Sequence, residues 1–367
     1  MKTKYPIIDF HASWMVINSI QGCPKNCKYC FLKPDGLNGV IPVELATPKE
    51  ATQQLLKYKL YNEQTPICLF PNTDIFATNN NMKYLLELIN ELKNQSIKNT
   101  LIIITKCQIP EAALKEIIAS KLNVIYFISY SGLDSNIEIG IIQDHLKENF
   151  ILLKKYNQKI IHYWRPFLPE NSSKEKINEV YDYVKEYASA SIFIGLKIKE
   201  SMINEFNLSK INLTRDEILK ADSIFDSETY SYIQNTLKQR SEYPLFQTTS
   251  CAISFVLGKT DYKAFYDTRT CKHLNKCPEK QRKICLKNNK LCIGKSDVIS
   301  LLKKIDVEIK AEDIEFEADK VILNNINLPF SYKSYLTEQL NRVVIVSRDE
   351  QDYYWTTSVD SADVCEF

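Results

Sequence analysis

The chain lacks a charge of one sign. Its 47 Lys and Arg nearly balance 45 Asp and Glu, leaving a formal net charge of +2 over 367 residues. A uniformly basic nucleic-acid coat is excluded, and any such surface must be local. No apolar run approaches the roughly 18 residues that a membrane span needs. The opening Met1–Pro6 carries no long apolar stretch of the kind that marks a secretory signal. A cytoplasmic protein with no membrane association is the expectation. Glycine is scarce, at 8 residues, and there is no internal repeat or low-complexity tract. With 44% apolar and 25% charged residues, the collagen-like, disordered and disulfide-scaffold classes are excluded. At roughly 150 residues per domain, the length predicts two domains, or one large domain with appendages.

What the chain does have is cysteine. There are 11, an odd number, and they cluster: three lie between Cys23 and Cys30, four between Cys271 and Cys292. In a reducing compartment disulfides are disfavoured, and clustered thiols are more often metal ligands or catalytic groups.

Apolar runs with strand character recur at Trp14–Ile20, Ile67–Phe70, Leu101–Thr105, Val124–Ser129, Ile160–Trp164 and Ser191–Leu196. Helical patterns separate most of them. Thr47, Pro48 and Glu50 form a capping box with proline at the first helical position. Pro110 opens a second helix, and Asn80–Gln95, Glu138–Tyr156 and Lys174–Tyr187 read as amphipathic helices. Six strands alternating with helices make an α/β chain with a parallel sheet, either a six-stranded open barrel or a doubly wound sheet. In both, chemistry belongs at the C-terminal ends of the strands. The expected boundaries are 1–203 for this barrel, 204–248 for a helical connector, 249–295 for a Cys-rich metal-binding module, and 296–367 for a small α+β tail. The tail is expected to hold a helix over Val298–Ile305 and strands over Val307–Phe316 and Arg342–Ser347.

Gly22-Cys23-Pro-Lys-Asn-Cys27-Lys-Tyr29-Cys30 is a C-x3-C-x2-C run just past the first strand. Three thiolates on one tight loop can hold three irons of a 4Fe–4S cube, leaving the fourth iron open to a substrate or cofactor. Zinc is the alternative metal, but it usually takes paired C-x2-C knuckles and four ligands.

This loop resembles the signature of the radical S-adenosylmethionine superfamily, C-x3-C-x-aromatic-C, with Tyr29 in the aromatic position. The resemblance implies a partial (β/α)6 TIM barrel over roughly the first 200 residues. It implies a 4Fe–4S cluster on Cys23, Cys27 and Cys30 that binds S-adenosylmethionine at the open iron. It implies one-electron cleavage to methionine and a 5′-deoxyadenosyl radical that abstracts a substrate hydrogen, fed by a reductant such as flavodoxin or ferredoxin.

Phe70-Pro71-Asn72-Thr73-Asp74 departs from the Gly-Gly-Glu-like stretch of most members. Thr73-Asp74 instead resembles the spore-photoproduct-lyase-like branch, with Asp74 accepting from the methionine ammonium; an Asx turn after a strand is the alternative. Thr105-Lys106 resembles the same branch, which places Lys106 against the methionine carboxylate. Ser129 matches a cofactor-contacting serine. Arg165 would reach the cofactor carboxylate or an anionic substrate. Gly195 would leave room for adenine, or serve plain packing. Cys107 at the mouth would be a hydrogen-atom donor, as in that branch, or a half-buried structural cysteine. Cys68 reads as core, and Cys365 as a tail thiol.

Cys271, Cys277, Cys285 and Cys292, with Cys251 upstream, read as a second metal site. Their long spacings favour an auxiliary 4Fe–4S cluster over a structural zinc. The module resembles the auxiliary domains of radical enzymes, although its spacings do not match the SPASM pattern. Residues 271–295 hold eight Lys or Arg against one acid, whereas residues 306–319 hold seven acids against one Lys. The basic load either balances thiolates and the acidic segment or forms a phosphate-binding face. The expected substrate is a nucleic acid or nucleotide. The alternatives are a peptide or protein substrate, or a non-catalytic metal-cluster protein that binds nucleic acid.

Overall fold

The structure, a computed structural model, describes residues 4–11, 13–206, 214–221, 223–240, 242–261, 277–287, 293–317, 320–346 and the backbone of 363–365. Eight strands form the central sheet: β1 (Ile8–Phe10), β2 (Met15–Ile17), β3 (Ile67–Leu69), β4 (Leu101–Thr105), β5 (Val124–Ile128), β6 (Lys159–Trp164), β7 (Ala190–Phe193) and β8 (Leu245–Phe246). Each lies beside its predecessor in the chain. β1 is antiparallel to β2, and the remaining pairs are parallel.

That order decides between the two architectures. The first five parallel crossovers carry one helix each: α1 (Pro48–Lys57), α2 (Asn79–Asn94), α3 (Glu111–Ala119), α4 (Gln143–Lys155) and α5 (Lys174–Val184). Right-handed crossovers that always step the same way put every helix on one face. A doubly wound sheet would reverse its order at a switch point, and this one does not. The sheet is a singly wound barrel wall.

The pleat divides the strand residues accordingly. Met15, Ile17, Leu69, Ile103, Tyr126 and Phe193 pack with Leu55, Leu85, Leu114, Phe150 and Val180 of the helices. Val16, Cys68, Ile102, Phe127, Ile161 and Ile192 face the other way. Cys68 is fully buried there. This concave face is covered by α6 (Thr249–Leu257), whose Cys251, Ala252 and Ile253 are buried against it. α6 carries no charged residue, as a helix buried on most sides requires.

The capping box of α1 is present: Thr47 Oγ1 accepts from the Glu50 N–H at 3.3 Å, and Glu50 accepts from the Thr47 N–H at 2.8 Å. Three expectations need correction. Glu138 does not start a helix; α4 begins at Gln143, and Glu138–Ile139 instead pairs antiparallel with Asn26–Cys27. Residues 204–248 are not a detached connector, because Leu245–Phe246 extends the sheet beside Ser191–Ile192. The boundary at 248/249 likewise cuts α6 from the barrel that it fills.

Beyond α7 (Glu279–Leu286), the tail holds α8 (Lys295–Lys304), β9 (Ile314–Glu317), β10 (Lys320–Leu323), α9 (Phe330–Leu340) and β11 (Val343–Val346). β10 lies between antiparallel β9 and parallel β11. The expected strand over Val307–Phe316 begins only at Ile314, and α9 had no expected counterpart. The tail docks on the outer edge of the sheet. Phe10 meets Tyr335 edge-on at 6.2 Å, Thr65 hydrogen-bonds Glu338, and Lys59 pairs with Asp306. No helix among the described residues is long and apolar enough to cross a membrane.

Candidate functional site

The chain leaves β2 at its C-terminal end and enters the cysteine loop. Cys23 and Cys27 are buried, and Cys30 is partly exposed. Three neighbouring segments tie the loop down. Gly22 N–H donates to the Asn72 carbonyl at 3.1 Å, joining it to the turn after β3. Cys23 N–H donates to the Leu37 carbonyl at 2.8 Å. Asn26 and Cys27 pair with Ile139 and Glu138, and Lys28 N–H donates to the Ile137 carbonyl at 3.0 Å.

Burial pushes the Cys23 thiol up to about 12, the nearby Asp74 charge adds to this, and N–H donors from Lys25 and Asp74 oppose it. Cys27 is likewise raised to about 12 by burial, against the field of Lys106. Cys30 is raised by burial, while the Leu32 N–H, Lys106, Arg165 and Lys33 pull it down. The donors and cations are those that stabilise thiolates once a metal displaces the protons. Among the described residues, no three His, Cys, Asp or Glu are arranged to hold one metal ion.

Strand ends bring four further residues to the same edge. On the pleat, Lys106, Ser129 and Arg165 continue the face of Ile102, Phe127 and Ile161. Lys106 Nζ donates to the Ser129 carbonyl at 3.0 Å and to Glu138 Oε1 at 2.7 Å, and it lies 5.6 Å from the Tyr29 ring centroid. Arg165 donates to the Tyr163 hydroxyl at 2.9 Å. Burial works against the Arg165 charge, but Tyr163, Tyr29 and Cys30 outweigh it and hold its pKa above the usual value. Tyr29 is raised well above the ordinary phenol range by burial and by Glu138 and Cys27.

Asp74 behaves differently. Its Oδ1 accepts from Thr105 Oγ1 at 2.8 Å and from the Phe76 N–H at 3.1 Å, the latter an Asx turn. Its Oδ2 accepts from the Lys106 N–H at 2.6 Å, and the Cys107 thiol donates to the same carboxylate. Burial raises the Asp74 pKa against these donors. Thr73 is buried and accepts from Asn81 at 3.3 Å. Cys107 is buried, with its thiol raised by burial, then by Asp74, and also by Cys23. Asp74 links it to the cysteine loop, its backbone N–H reaching Cys23 and its carboxylate taking the Cys107 thiol.

Gly195 does not make room for adenine. A Cβ there would overlap the carbonyl of Ile224, and the Gly195 N–H donates to Ser223 Oγ at 2.8 Å. The missing side chain admits the protein's own backbone.

The second constellation is described in part. Cys251 lies in α6 under the sheet, with Cys277 packed against the same cluster. Cys285 accepts from the Gln281 amide at 3.1 Å and from the Asp261 N–H. Burial pushes Cys277 up to about 12, and the charge of Cys285 adds to it. Cys271 and Cys292 lie outside the described residues, as do Lys272, Lys276 and Lys290. Of the described cations, Lys283 pairs with Glu279 at 2.6 Å, and Lys295 donates to the Ala311 carbonyl at 2.6 Å. Lys280 lies 5.7 Å from the Phe255 ring.

Sequence reasoning missed Glu138. It is fully buried, and its carboxylate takes Tyr29, Lys106 and Gln143. Ile137, Ile139 and Ile141 alternate with Glu138 and Gly140, a period of two that could have marked an extended segment.

No family model matches the chain, and no curated protein matches it. Among solved structures, spore photoproduct lyase complexed with dinucleoside spore photoproduct is similar at a TM-score of 0.52 and 14% identity, over 65% of this chain and 78% of that one. A mutant of that lyase with bound AdoMet and the same photoproduct gives 0.51 and 14%, over 65% and 78%. SuiB of Streptococcus suis, bound to S-adenosylmethionine, gives 0.44 and 15%, over 68% and 54%. The lyase comparisons establish a shared fold; the third is too remote to add to it.

Proposed function

We propose that this chain is a radical S-adenosylmethionine enzyme, with Cys23, Cys27 and Cys30 as the ligands of a 4Fe–4S cluster. One observation carries the reading. Three thiols on a single loop sit at the C-terminal edge of a singly wound parallel sheet, within the fields of Lys106 and Arg165. The residues fit the group: N–H donors reach Cys23 and Cys30, and the neighbouring cations offset the charge of an anionic thiolate set. When bound, the cluster and S-adenosylmethionine supply one-electron cleavage of the cofactor and a 5′-deoxyadenosyl radical that takes a substrate hydrogen.

The chain's own residues bind, orient and exclude water. Lys106 has three N–H donors and two acceptors of its own, so one donor is left for a carboxylate. Arg165 adds a second cation at the same edge. Asp74 shapes the strand ends by gathering Thr105, Lys106 and Cys107. Cys107, linked to the loop through Asp74, is the candidate hydrogen-atom donor.

A nucleic acid or nucleotide is the substrate class to test first. The lyase that shares the fold is seen with a dinucleoside photoproduct, and Lys280 and Arg282 stand on α7. The electron would come from a flavodoxin- or ferredoxin-like carrier.

The test is anaerobic reconstitution followed by iron and sulfide counts, then dithionite and S-adenosylmethionine. Wild-type protein should make 5′-deoxyadenosine. Replacing Cys23, Cys27 and Cys30 together by Ala should remove one cluster's iron and all of that product. If the triple variant still forms 5′-deoxyadenosine, or the reconstituted wild type never does, the reading fails. The second outcome leaves a non-catalytic cluster protein.

A further inference from the structure

We infer that Glu138 is a positioning residue that couples the cysteine loop to Lys106. The inference rests on the reading of the site given above. Glu138 belongs to the segment after β5, yet its backbone is laddered to the loop itself: Cys27 pairs with Glu138, and Asn26 pairs with Ile139. Lys25 Nζ extends the join by donating to the Gly140 carbonyl at 2.7 Å.

The side chain makes the second connection. Glu138 Oε1 accepts both the Tyr29 hydroxyl and the Lys106 ammonium, while Oε2 accepts Gln143 Nε2 at 2.7 Å. One carboxylate thus joins a loop residue, a strand-end lysine and the first residue of α4. The carboxylate is fully removed from solvent, and the lysine side chain is only 18% exposed.

Lysine is a long side chain with many rotamers, and a lysine at a strand end would ordinarily sweep a wide arc. Here the carboxylate and the Ser129 carbonyl fix the ammonium over the Tyr29 ring. A site is effective when residues behind it lock its binding groups in place. Glu138 does this for the cation assigned to the cofactor carboxylate, and it holds the loop that carries the thiols at the same time.

The test uses Glu138→Ala, Glu138→Gln, Lys106→Ala and the double variant Glu138→Ala/Lys106→Ala. Glutamine keeps an acceptor for Tyr29 and Lys106. Gln143 Oε1 is buried without a partner, so a flipped Gln143 amide can accept from the new donor. On reconstituted protein, S-adenosylmethionine binding is read by equilibrium dialysis beside an iron count. On metal-free protein, amide hydrogen exchange is read over residues 23–30.

Glu138→Ala should weaken cofactor binding by about tenfold or more and raise exchange in the loop. Glu138→Gln should restore binding to within about threefold of wild type. In the Lys106→Ala background, Glu138→Ala should weaken binding much less than it does in the wild-type background. Three results would overturn the inference: wild-type binding in Glu138→Ala, an additive effect in the double variant, or equal loss in the alanine and glutamine variants with unchanged exchange. Should Glu138→Ala not fold, Glu138→Asp, which withdraws the carboxylate by one methylene, takes its place with the same expectations. A wild type that binds iron but neither binds nor cleaves S-adenosylmethionine would refute the functional reading instead. The exchange measurement on metal-free protein would still report whether Glu138 holds the loop.

Discussion

Asp74 Oδ2 accepts the backbone N–H of Lys106 at 2.6 Å, so the two residues the sequence pairs as cofactor contacts are bonded to each other. Their side chains nevertheless do different work. The carboxylate of Asp74 is taken up by four donors of its own chain, whereas Lys106 retains an uncommitted N–H.

Two substitutions should therefore separate. Lys106→Ala should raise the apparent KM for S-adenosylmethionine by the loss of a charge-assisted contact of about 1.5–3 kcal/mol, with iron content nearly unchanged; it should also lower stability, because the buried Glu138 carboxylate loses its cation. Asp74→Ala should instead leave several buried donors without an acceptor and lower stability by about 2–4 kcal/mol. Urea unfolding of the metal-free proteins, beside KM measurements, checks the pair. An unchanged KM in Lys106→Ala, or an equal rise in KM in both variants, would contradict the assignment.

Gly195→Ala should be severe. The added Cβ meets the backbone of Ile224, which cannot swing aside as a side chain could. Overpacking of this kind costs about 1–3 kcal/mol or more. The expected result is a lower unfolding midpoint in metal-free protein. Normal stability with a raised KM for the cofactor would return Gly195 to a cofactor-facing role.

His162 is buried between Ser191 Oγ at 2.8 Å and the Tyr130 carbonyl at 2.7 Å. Burial lowers its pKa from 6.5 to about 3. Below pH 6.5 the unfolded chain takes up a proton that the folded chain refuses. The stability from neutral His162 is therefore full above pH 6.5 and lost as pH falls towards 3, by up to about 1.4 kcal/mol per pH unit. Urea unfolding at pH 7, 6 and 5 should show this decline, and His162→Gln should flatten it by about one proton. An identical slope in that variant would exclude His162 as its source.

If the basic module grips a polyanion, affinity for RNA or DNA should fall steeply with salt. Charge reversal of Lys280, Arg282 and Lys283 should flatten the slope by about one unit per lost phosphate contact. Lys283 already pairs with Glu279, so Lys280 and Arg282 should account for most of the change. Filter binding at two salt concentrations, beside an iron count, decides. A slope insensitive to the triple reversal, with iron lost, would mark the charges as compensation for thiolates.

The parts of the fold legible in the sequence were those with strong local signals. The Thr47 capping box, the Pro110 boundary and the β-branched runs of β4 and β5 each state their structure within a few residues. The cysteine loop was legible because its spacing is rare. Glu138 was not, because the residues after it complete a helical pattern and the two-residue ladder it makes is set by a partner 111 residues earlier in the chain. β8 is two residues long and carries no period at all. Gly195 was placed at a strand end, where a ligand and a crossing backbone leave the same trace: a position without a side chain.

The apolar helix α6 fills the concave side of the sheet from beneath, against β6, β7 and β8. The space under the strand ends that carry Lys106, Ser129 and Arg165 is thus filled with Ile102, Phe127, Ile161, Ala252 and Ile253. Charges at that edge stand on a dry, low-dielectric floor, where their pull on an ionic ligand is screened less than on an open surface.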